Sequence, residues 1–237
     1  MNANSNGKNE NDGNSVGHAN LGYTLQRVET LDWGNLRGWQ PIELGLADGG
    51  SRLSLIAGTN GSGKSTIIDG IMTVLLPFKQ LLQLGVTHDF EEGRSGSRNV
   101  DDYLLGKHAA TGGDAVEDDQ VYSRDTGVSC ILLVFQHNEN PERWLSLARV
   151  WWYAGRKIRE DSANIIAREN LTIGASDART PEDESGGLFQ MPRLSLCDDA
   201  GHMFVNLASM KRGLPQKSKR IQVFDGVNKY FETLRKY

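Results

Sequence analysis

The sequence element that most constrains the fold is a glycine-rich stretch before an apolar helix pattern. It reads Gly58-Thr59-Asn60-Gly61-Ser62-Gly63-Lys64-Ser65-Thr66 and fits the pattern of a glycine, four residues of any type, and then Gly-Lys-Ser or Gly-Lys-Thr. Glycines lack a Cβ, so the backbone can curl and point successive N–H groups at a phosphate. The pattern predicts a phosphate-binding loop. The alternative, a plain glycine-rich turn, does not explain why the pattern is complete.

The flanking residues supply the strand and the helix that such a loop requires. Residues 52–57 read Arg-Leu-Ser-Leu-Ile-Ala and predict a buried strand, and residues 66–76 predict a helix that Pro77 stops. The expected fold class is therefore α/β, of the nucleotide-binding type. One helical face is expected to be apolar, through Ile67, Ile68, Ile71, Met72 and Leu75.

Each residue type in the loop has an expected chemical role. We expect residues 58–66 to bind the nucleotide through backbone N–H groups and the positive end of the helix dipole. Lys64 is expected to reach the β- and γ-phosphates. The hydroxyl of Ser65 is expected to bind Mg²⁺, which needs few protein ligands besides phosphate oxygens. Lys64 and Ser65 are thus the candidate catalytic residues.

Composition narrows the class of protein further. The net charge of −4 gives no overall basic signature for nucleic acid, although local patches remain possible. Cys130 and Cys197 lie in apolar segments and predict buried free thiols, and neither a disulfide framework nor a zinc site is predicted. No apolar run approaches the roughly 20 residues of a membrane span, and the N-terminus is polar. We expect a cytoplasmic location without membrane contact.

The chain divides into three regions by composition. Residues 1–20 are rich in Asn, Gly and Ser and are expected to be disordered. Residues 21–225 carry the patterns of a folded domain. Residues 226–237 are expected to begin a longer helix, because apolar residues recur at helical spacing. These residues are Val227, Tyr230, Phe231 and Leu234.

Within the folded region, two long apolar runs predict an antiparallel β subdomain. Residues 128–135 and 144–153 are separated by a turn sequence at 138–141. Two shorter strands are expected around residues 193–197 and 202–207.

Four stretches resemble ABC-type ATPases of the SMC, Rad50 and MukB group. Asn60 precedes the second loop glycine, as in that group. Residues 31–36, Leu-Asp-Trp-Gly-Asn-Leu, are similar to the Asn-Trp-Gly-x-Phe motif of MukB-like heads, and residues 65–71 are similar to their Ser-Thr-Leu-Ile-Asp-Ala-Leu helix. Residues 94–106, from Arg-Ser-Gly to Tyr-x-x-Gly, look like a third segment. The resemblance is greatest to the MukB-like subunits of Wadjet plasmid-defence systems.

This resemblance implies an architecture and a set of partners. Residues 21–225 would be the N-terminal half of an ABC/SMC-type ATPase head, with a mixed sheet around the phosphate-loop helix, and residues 226–237 would begin a coiled-coil arm. ATP and Mg²⁺ are the implied cofactors, and hydrolysis would drive movement on DNA. The implied partners are the C-terminal half of the same head, a second head in a homodimer, kleisin-type and accessory subunits, and the backbone of double-stranded DNA.

In this family the signature loop and the Walker B carboxylates come from the C-terminal half. The Ser-Gly-Gly at 185–187 lacks the context of a signature loop, and residues 194–199 alternate like a half-buried hairpin strand. Asp198-x-x-Gly201 fits a GTPase metal motif, but no Asn-Lys-x-Asp accompanies it. The chain alone is expected to be nearly inactive. Two alternatives remain: a Rad50-, RecF- or overcoming-lysogenization-type ATPase of repair or defence, and a nucleotide-dependent binding module without turnover.

Two groups of cations are candidates for phosphate or DNA contact. Arg94 and Arg98 follow the loop helix, and either could sense a γ-phosphate or bind a DNA phosphate. A basic run at 211–220 could contact the DNA backbone, chiefly through Lys217, Lys219 and Arg220. The alternative for both groups is a solvated loop. Trp151 and Trp152 are interpreted as sheet packing.

Overall fold

A computed structural model shows how these segments assemble. It describes residues 22–44, 54–59, 61–76, 84, 99–108, 121–154, 161–174 and 193–236. The strands are β1 (Tyr23–Trp33), β2 (Leu36–Glu43), β3 (Lys107–His108), β4 (Val121–Tyr122), β5 (Thr126–His137), β6 (Trp144–Ala154), β7 (Asp161–Ala167), β8 (Leu171–Thr172), β9 (Leu194–Ser195) and β10 (Ile221–Phe224). The helices are α1 (Lys64–Leu75), α2 (Val100–Leu104), α3 (Leu207–Lys217) and α4 (Val227–Leu234).

The centre of the fold is a six-stranded sheet in the order β10-β7-β6-β5-β1-β2. Every neighbouring pair in it is antiparallel. The predicted antiparallel pair across the 138–141 turn is confirmed, since β5 and β6 pair from Thr126↔Ala154 to Gln136↔Trp144. The strand β7 was not predicted.

The two faces of this sheet carry separate hydrophobic cores. Alternate residues of β5 show the division. Ile131 and Leu133 pack in a core with α1, α2 and α4, whereas Cys130 and Leu132 pack in a second core with α3 and β8. Trp151 and Trp152 divide in the same way, which confirms their role in sheet packing. The phosphate-loop helix α1 therefore lies on one face of the sheet, and α3 lies on the other.

The predicted strand at 52–57 is wrong for the residues that are described. Residues 54–59 have no regular secondary structure, and the side chain of Leu55 is 89% exposed. A strand needs a neighbour for its backbone N–H and C=O groups, and no described strand pairs with this segment. The α/β class holds in its coarse form. Within the described ranges, parallel pairing occurs between β8 and β9, in a small separate sheet.

The C-terminal third also differs from the expected pattern. The strand expected at 202–207 is reduced to an isolated bridge between Cys197 and Met203. The chain then enters α3, where Asn206 and Ser209 form a reciprocal capping box. The solvated loop, the alternative interpretation of the basic run, is excluded for residues 211–217, which lie in α3.

The last described helix confirms the pattern seen in the sequence. Helix α4 spans Val227–Leu234 and buries Tyr230 and Phe231. The hydroxyl of Tyr230 donates to the carbonyl oxygen of Val74 in α1, and burial raises the pKa of this phenol. The apolar face of α4 thus packs into the core that contains α1 and α2, and a coiled-coil arm remains a prediction.

Both cysteines are buried and free, as predicted. Burial raises the pKa of the Cys130 thiol well above its ordinary value, with a smaller contribution from Glu29. The disordered tail expected at 1–20 lies outside the described residues.

Candidate functional site

The glycine-rich loop has the backbone shape that its glycines allow. Gly61 and Gly63 adopt left-handed conformations, with φ of 82° and 93°. A Cβ on Gly58 would lie 2.6 Å from the hydroxyl of Ser62, so only glycine fits there without a shift. Gly63 caps α1 without a side-chain hydrogen bond, which leaves the first backbone N–H groups of the helix for a ligand.

Lys64 lies back across this loop. Its ammonium donates to the carbonyl oxygens of Gly58, at 2.7 Å, and Thr59, at 2.8 Å. The positive charge is therefore held over the curled backbone, where an anion would meet it together with the N–H groups. Ser65 follows on an exposed position of α1, while Thr66 is buried.

This arrangement fits a nucleotide phosphate chain with Mg²⁺. The left-handed loop glycines, the helix N-terminus and the charge of Lys64 suit an anionic group, and the exposed Ser65 hydroxyl suits a metal that keeps most ligands from water and phosphate. Of the predicted binding residues, Asn60 lies outside the described residues, as do Arg94 and Arg98. Among the described residues, no cluster of three or more His, Cys, Asp or Glu side chains could hold a metal by itself.

The turn between β1 and β2 presses against the loop and α1. The indole N–H of Trp33 donates to the carbonyl oxygen of Thr66 at 3.0 Å. Gly34 has a φ of 58°, and a Cβ there would lie 2.6 Å from the methyl group of Thr66. The side chain of Asn35 donates to the carbonyl oxygen of Gly61 and accepts from the hydroxyl of Thr66. The sequence placed this turn in a family motif but assigned no role to Asn35.

An aromatic stack supports α1 from the sheet. The rings of Tyr103 and Trp33 stack at 4.8 Å, and Trp33 stacks on Trp151 at 5.4 Å. The guanidinium of Arg149 lies 5.1 Å from the Trp151 ring and donates to the carbonyl oxygen of Thr73 in α1. Tyr103 also donates a hydrogen bond to the buried Asp69 of α1. Together these contacts fix the helix that follows the loop.

The buried face of α1 differs from the predicted one. Ile67 and Val74 are buried, whereas Ile68 is 48% exposed and Met72 is 39% exposed. Gly70 lies on the side of α1 that faces the sheet. Its missing side chain lets Trp33 and Ile131 approach within 3.2 Å of the position that a Cβ would take. Helix α1 therefore has apolar residues on a second side, which the described residues leave open.

The basic run on and after α3 is largely paired with acids. Lys211 donates to Asp225 at 2.6 Å, and that hydrogen bond lowers the pKa of the Asp225 carboxyl. Lys217 donates to the carbonyl oxygen of Cys197 and lies 3.5 Å from Asp199. Arg220 lies 3.9 Å from Glu169, with its side chain 71% exposed.

The segment that superficially resembles a Walker B strand is a two-residue strand followed by a turn. Leu194–Ser195 forms the short strand β9, and the carboxylate of Asp198 accepts from the backbone N–H groups of Ala200 and His202. These bonds close the turn at Gly201 and give Asp198 a structural role. Ser185, Gly186 and Gly187 lie outside the described residues.

Comparison with known proteins identifies the region around the loop. Residues 25–82 match the family described as the P-loop containing region of AAA domain. No curated protein matches the chain. The match covers most of β1 together with β2, the loop and α1, so the chain carries a P-loop of the nucleotide-binding type. In the described part of the chain, no helix has the length and apolar character needed to cross a membrane.

Proposed function

We propose that this chain is the ATP-binding N-terminal half-head of an SMC/MukB-like DNA-translocating ATPase, a JetC-like motor subunit of a plasmid-defence complex. The observation that carries the proposal is the geometry of the phosphate loop. Two left-handed glycines precede α1, and the ammonium of Lys64 lies over the loop carbonyl oxygens of Gly58 and Thr59. The sequence resemblance supplies the finer assignment.

In the proposed site, the chain's own residues bind and orient the phosphate chain. Lys64 gives up carbonyl contacts in exchange for the β- and γ-phosphates, and the free N–H groups of the α1 N-terminus hold the same anion. Ser65 would hold Mg²⁺, which when bound would supply Lewis-acid stabilisation of charge on the phosphates.

The open side of α1 supports the half-head assignment. Ile68 and Met72 are exposed on the helix, and Leu55 is exposed just before the loop. Apolar side chains at these positions call for a cover. We propose that the C-terminal half of the same head supplies it, with a strand pairing along residues 54–57. A homodimer of heads would then enclose ATP, and kleisin-type and accessory subunits would complete the complex.

Contact with DNA is proposed to be through phosphates. Lys219 and Arg220 follow α3 on exposed positions, and Arg94 and Arg98 are the other candidates. Lys217 is a weaker candidate than the sequence alone indicated, because its ammonium is engaged by Cys197 and Asp199.

Two alternatives are kept. A Rad50-, RecF- or overcoming-lysogenization-type ATPase would use the same loop. One observation favours a nucleotide-dependent binding module without turnover. Asp198 belongs to the segment that superficially resembles a Walker B strand, and its carboxylate is bound into a turn. Sustained hydrolysis by an assembled head would exclude the binding module.

The test is a direct ATP titration of wild-type protein and Lys64→Ala, with steady-state hydrolysis measured on the same samples. Lys64→Ala is expected to abolish ATP binding, because the phosphate charge loses its partner in a preorganised loop. Ser65→Ala is expected to keep some binding and to weaken Mg²⁺-dependent hydrolysis in the assembled head. The isolated chain should bind ATP but turn it over negligibly. Unchanged affinity in Lys64→Ala would refute the phosphate-loop assignment.

A further inference from the structure

The side chain of one residue outside the phosphate loop is hydrogen-bonded both to the loop and to the helix that follows it. Asn35, in the turn between β1 and β2, donates through Nδ2 to the carbonyl oxygen of Gly61 at 3.0 Å. Its Oδ1 accepts from the hydroxyl of Thr66, also at 3.0 Å. Gly61 lies in the middle of the loop and Thr66 in the first turn of α1. The amide of Asn35 thus ties the loop to the helix.

The loop needs such a tie because glycine does not hold one shape by itself. Gly61 and Gly63 are both left-handed, a conformation that glycine adopts about as readily as the right-handed one. The amide of Asn35 also covers Gly63, where an added Cβ would lie 3.3 Å from Oδ1 and 3.6 Å from Nδ2. Asn35 therefore restrains both left-handed glycines from the outer side of the loop.

The turn that carries Asn35 is itself held in place. Arg124 donates to the carbonyl oxygens of Gly34, at 2.6 Å, and Tyr103, at 2.9 Å. The backbone N–H of Gly34 donates to Tyr103 at 2.9 Å, and Trp33 is bonded to Thr66. The amide of Asn35 is therefore presented from a fixed base, although the residue is exposed.

We infer that Asn35 is a positioning residue for phosphate binding, which holds the loop in its curled form before the ligand arrives. The inference rests on the proposed nucleotide-binding function. Ligand affinity rises when a site is held in its bound shape in advance. Asn35 acts through the loop backbone, so its effect concerns the phosphates of the ligand and is independent of the base and the sugar.

The experiment compares wild-type protein, Asn35→Ala and Asn35→Asp in direct titrations with Mg·ATP and with inorganic tripolyphosphate. Asn35→Ala is expected to weaken both ligands by the same factor, about tenfold for the two hydrogen bonds that it removes. Asn35→Asp keeps the acceptor for Thr66, loses the donor to Gly61 and adds a negative charge, so it should bind both ligands more weakly than Asn35→Ala. The control is Gln40→Ala, an exposed β2 residue whose amide bonds to Arg37, and it should bind as wild type.

A second pair of variants tests the same tie from its other end. Thr66→Ser keeps a hydroxyl for Asn35, whereas Thr66→Val removes it at nearly constant volume. Thr66→Ser is expected to bind ATP more tightly than Thr66→Val, and Asn35→Ala should cost less affinity in the Thr66→Val background than in wild type. This pair decides the matter if Asn35→Ala does not fold.

Three results would overturn the inference: wild-type affinity in Asn35→Ala, a loss for ATP without a loss for tripolyphosphate, or full additivity of the Asn35 and Thr66 effects. Each is read beside Lys64→Ala. If Lys64→Ala binds no ATP and Asn35→Ala binds normally, the positioning role fails and the proposed function stands. If Lys64→Ala binds normally, the proposed function fails.

Discussion

The carboxylate of Glu29 illustrates how much a single buried residue can organise. It is fully buried and accepts hydrogen bonds from Arg27, at 2.7 Å, from the indole of Trp39, and from the hydroxyl of Thr172 and the backbone N–H of Ile173. Arg27 is also buried and donates onward to the carbonyl oxygen of Leu171. The ion pair thus ties β8 to β1 across the second core.

Glu29→Gln is expected to destabilise the protein by about 3 kcal/mol, because it leaves the buried charge of Arg27 without its close partner. The amide also places an N–H group against the N–H of Arg27. Urea unfolding measures the effect. Glu43→Gln is the matched control: Glu43 is partly exposed and lies 3.9 Å from Arg27, so it should cost less than about 1 kcal/mol. Equal losses in the two variants would contradict this account.

For single residues, the sequence predicted those that phosphate-binding chemistry requires. It missed residues whose contacts form only when distant segments fold together. Gly58, Gly61, Gly63 and Lys64 could be predicted as binding residues because a phosphate loop allows few other residue types. Asn35 could not, since its bonds to Gly61 and Thr66 depend on the β1–β2 turn folding back onto α1. Glu29 gave no signal either, because its partners near residue 172 are distant in sequence.

Helix α3 shows how packing overrides local preference at the scale of one element. Gly213 and Pro215 both disfavour a helix, yet α3 runs through them, capped by Asn206. Met210 and Leu214 are fully buried in the second core. The missing side chain of Gly213 admits the ring of Phe204, which would lie 2.4 Å from an added Cβ.

We predict that Gly213→Ala destabilises the protein by about 1–3 kcal/mol, although alanine is the better helix former, because the added methyl group meets a packed ring. The control is Gly226→Ala at the start of α4, where an added Cβ meets nothing within 4 Å. That variant should be neutral, or more stable by about 0.5 kcal/mol. Thermal unfolding of both decides. Stabilisation by Gly213→Ala would mean that the Phe204 ring moves freely.

Strands and helices were predicted correctly where a periodic apolar pattern coincided with a packing partner in the fold. The strands β5 and β6 and the helices α1 and α4 have strong periodic apolar residues, and all four form. Strand β7 was missed because its small and polar residues, such as Ala163 and Asn164, have low strand preference and are buried by neighbours on both sides. The segment before the loop has an apolar strand pattern, but no described strand pairs with it.

The whole molecule carries a net charge of −4, which opposes tight binding of DNA by the chain alone. Ion pairs and hydrogen bonds within the fold further reduce the positive charge that the basic run offers to DNA. Lys211 and Lys217 are both within hydrogen-bond distance of acceptors on the protein. Any DNA contact should therefore rest on the few cations left exposed, Lys219 and Arg220 among them.

We predict that Lys219→Ala with Arg220→Ala flattens the salt dependence of DNA binding by the assembled complex, by up to about two units in the log–log slope. The slope flattens because binding displaces one counterion fewer for each DNA phosphate that the variant no longer neutralises. The control, Arg143→Ala with Arg235→Ala, removes the same charge from other exposed elements. A wild-type slope in the first variant, or the same change in both, would place the DNA-binding surface elsewhere.

The position of β1 in the sheet has a consequence for synthesis on the ribosome. β1 lies between β2, its immediate successor, and β5, where Thr30 pairs with Ile131. The ribosome reaches β5 only after the phosphate loop, α1 and α2, a delay on the order of several seconds at about 5–20 residues per second. During that interval the edge of β1 that later pairs with β5 is unpaired, and Trp33 has no sheet to pack against. The nascent loop is thus complete in sequence before Tyr103 and Arg124, which hold the turn that carries Asn35, have been synthesised, and the open strand edge during this interval is where a chaperone would act.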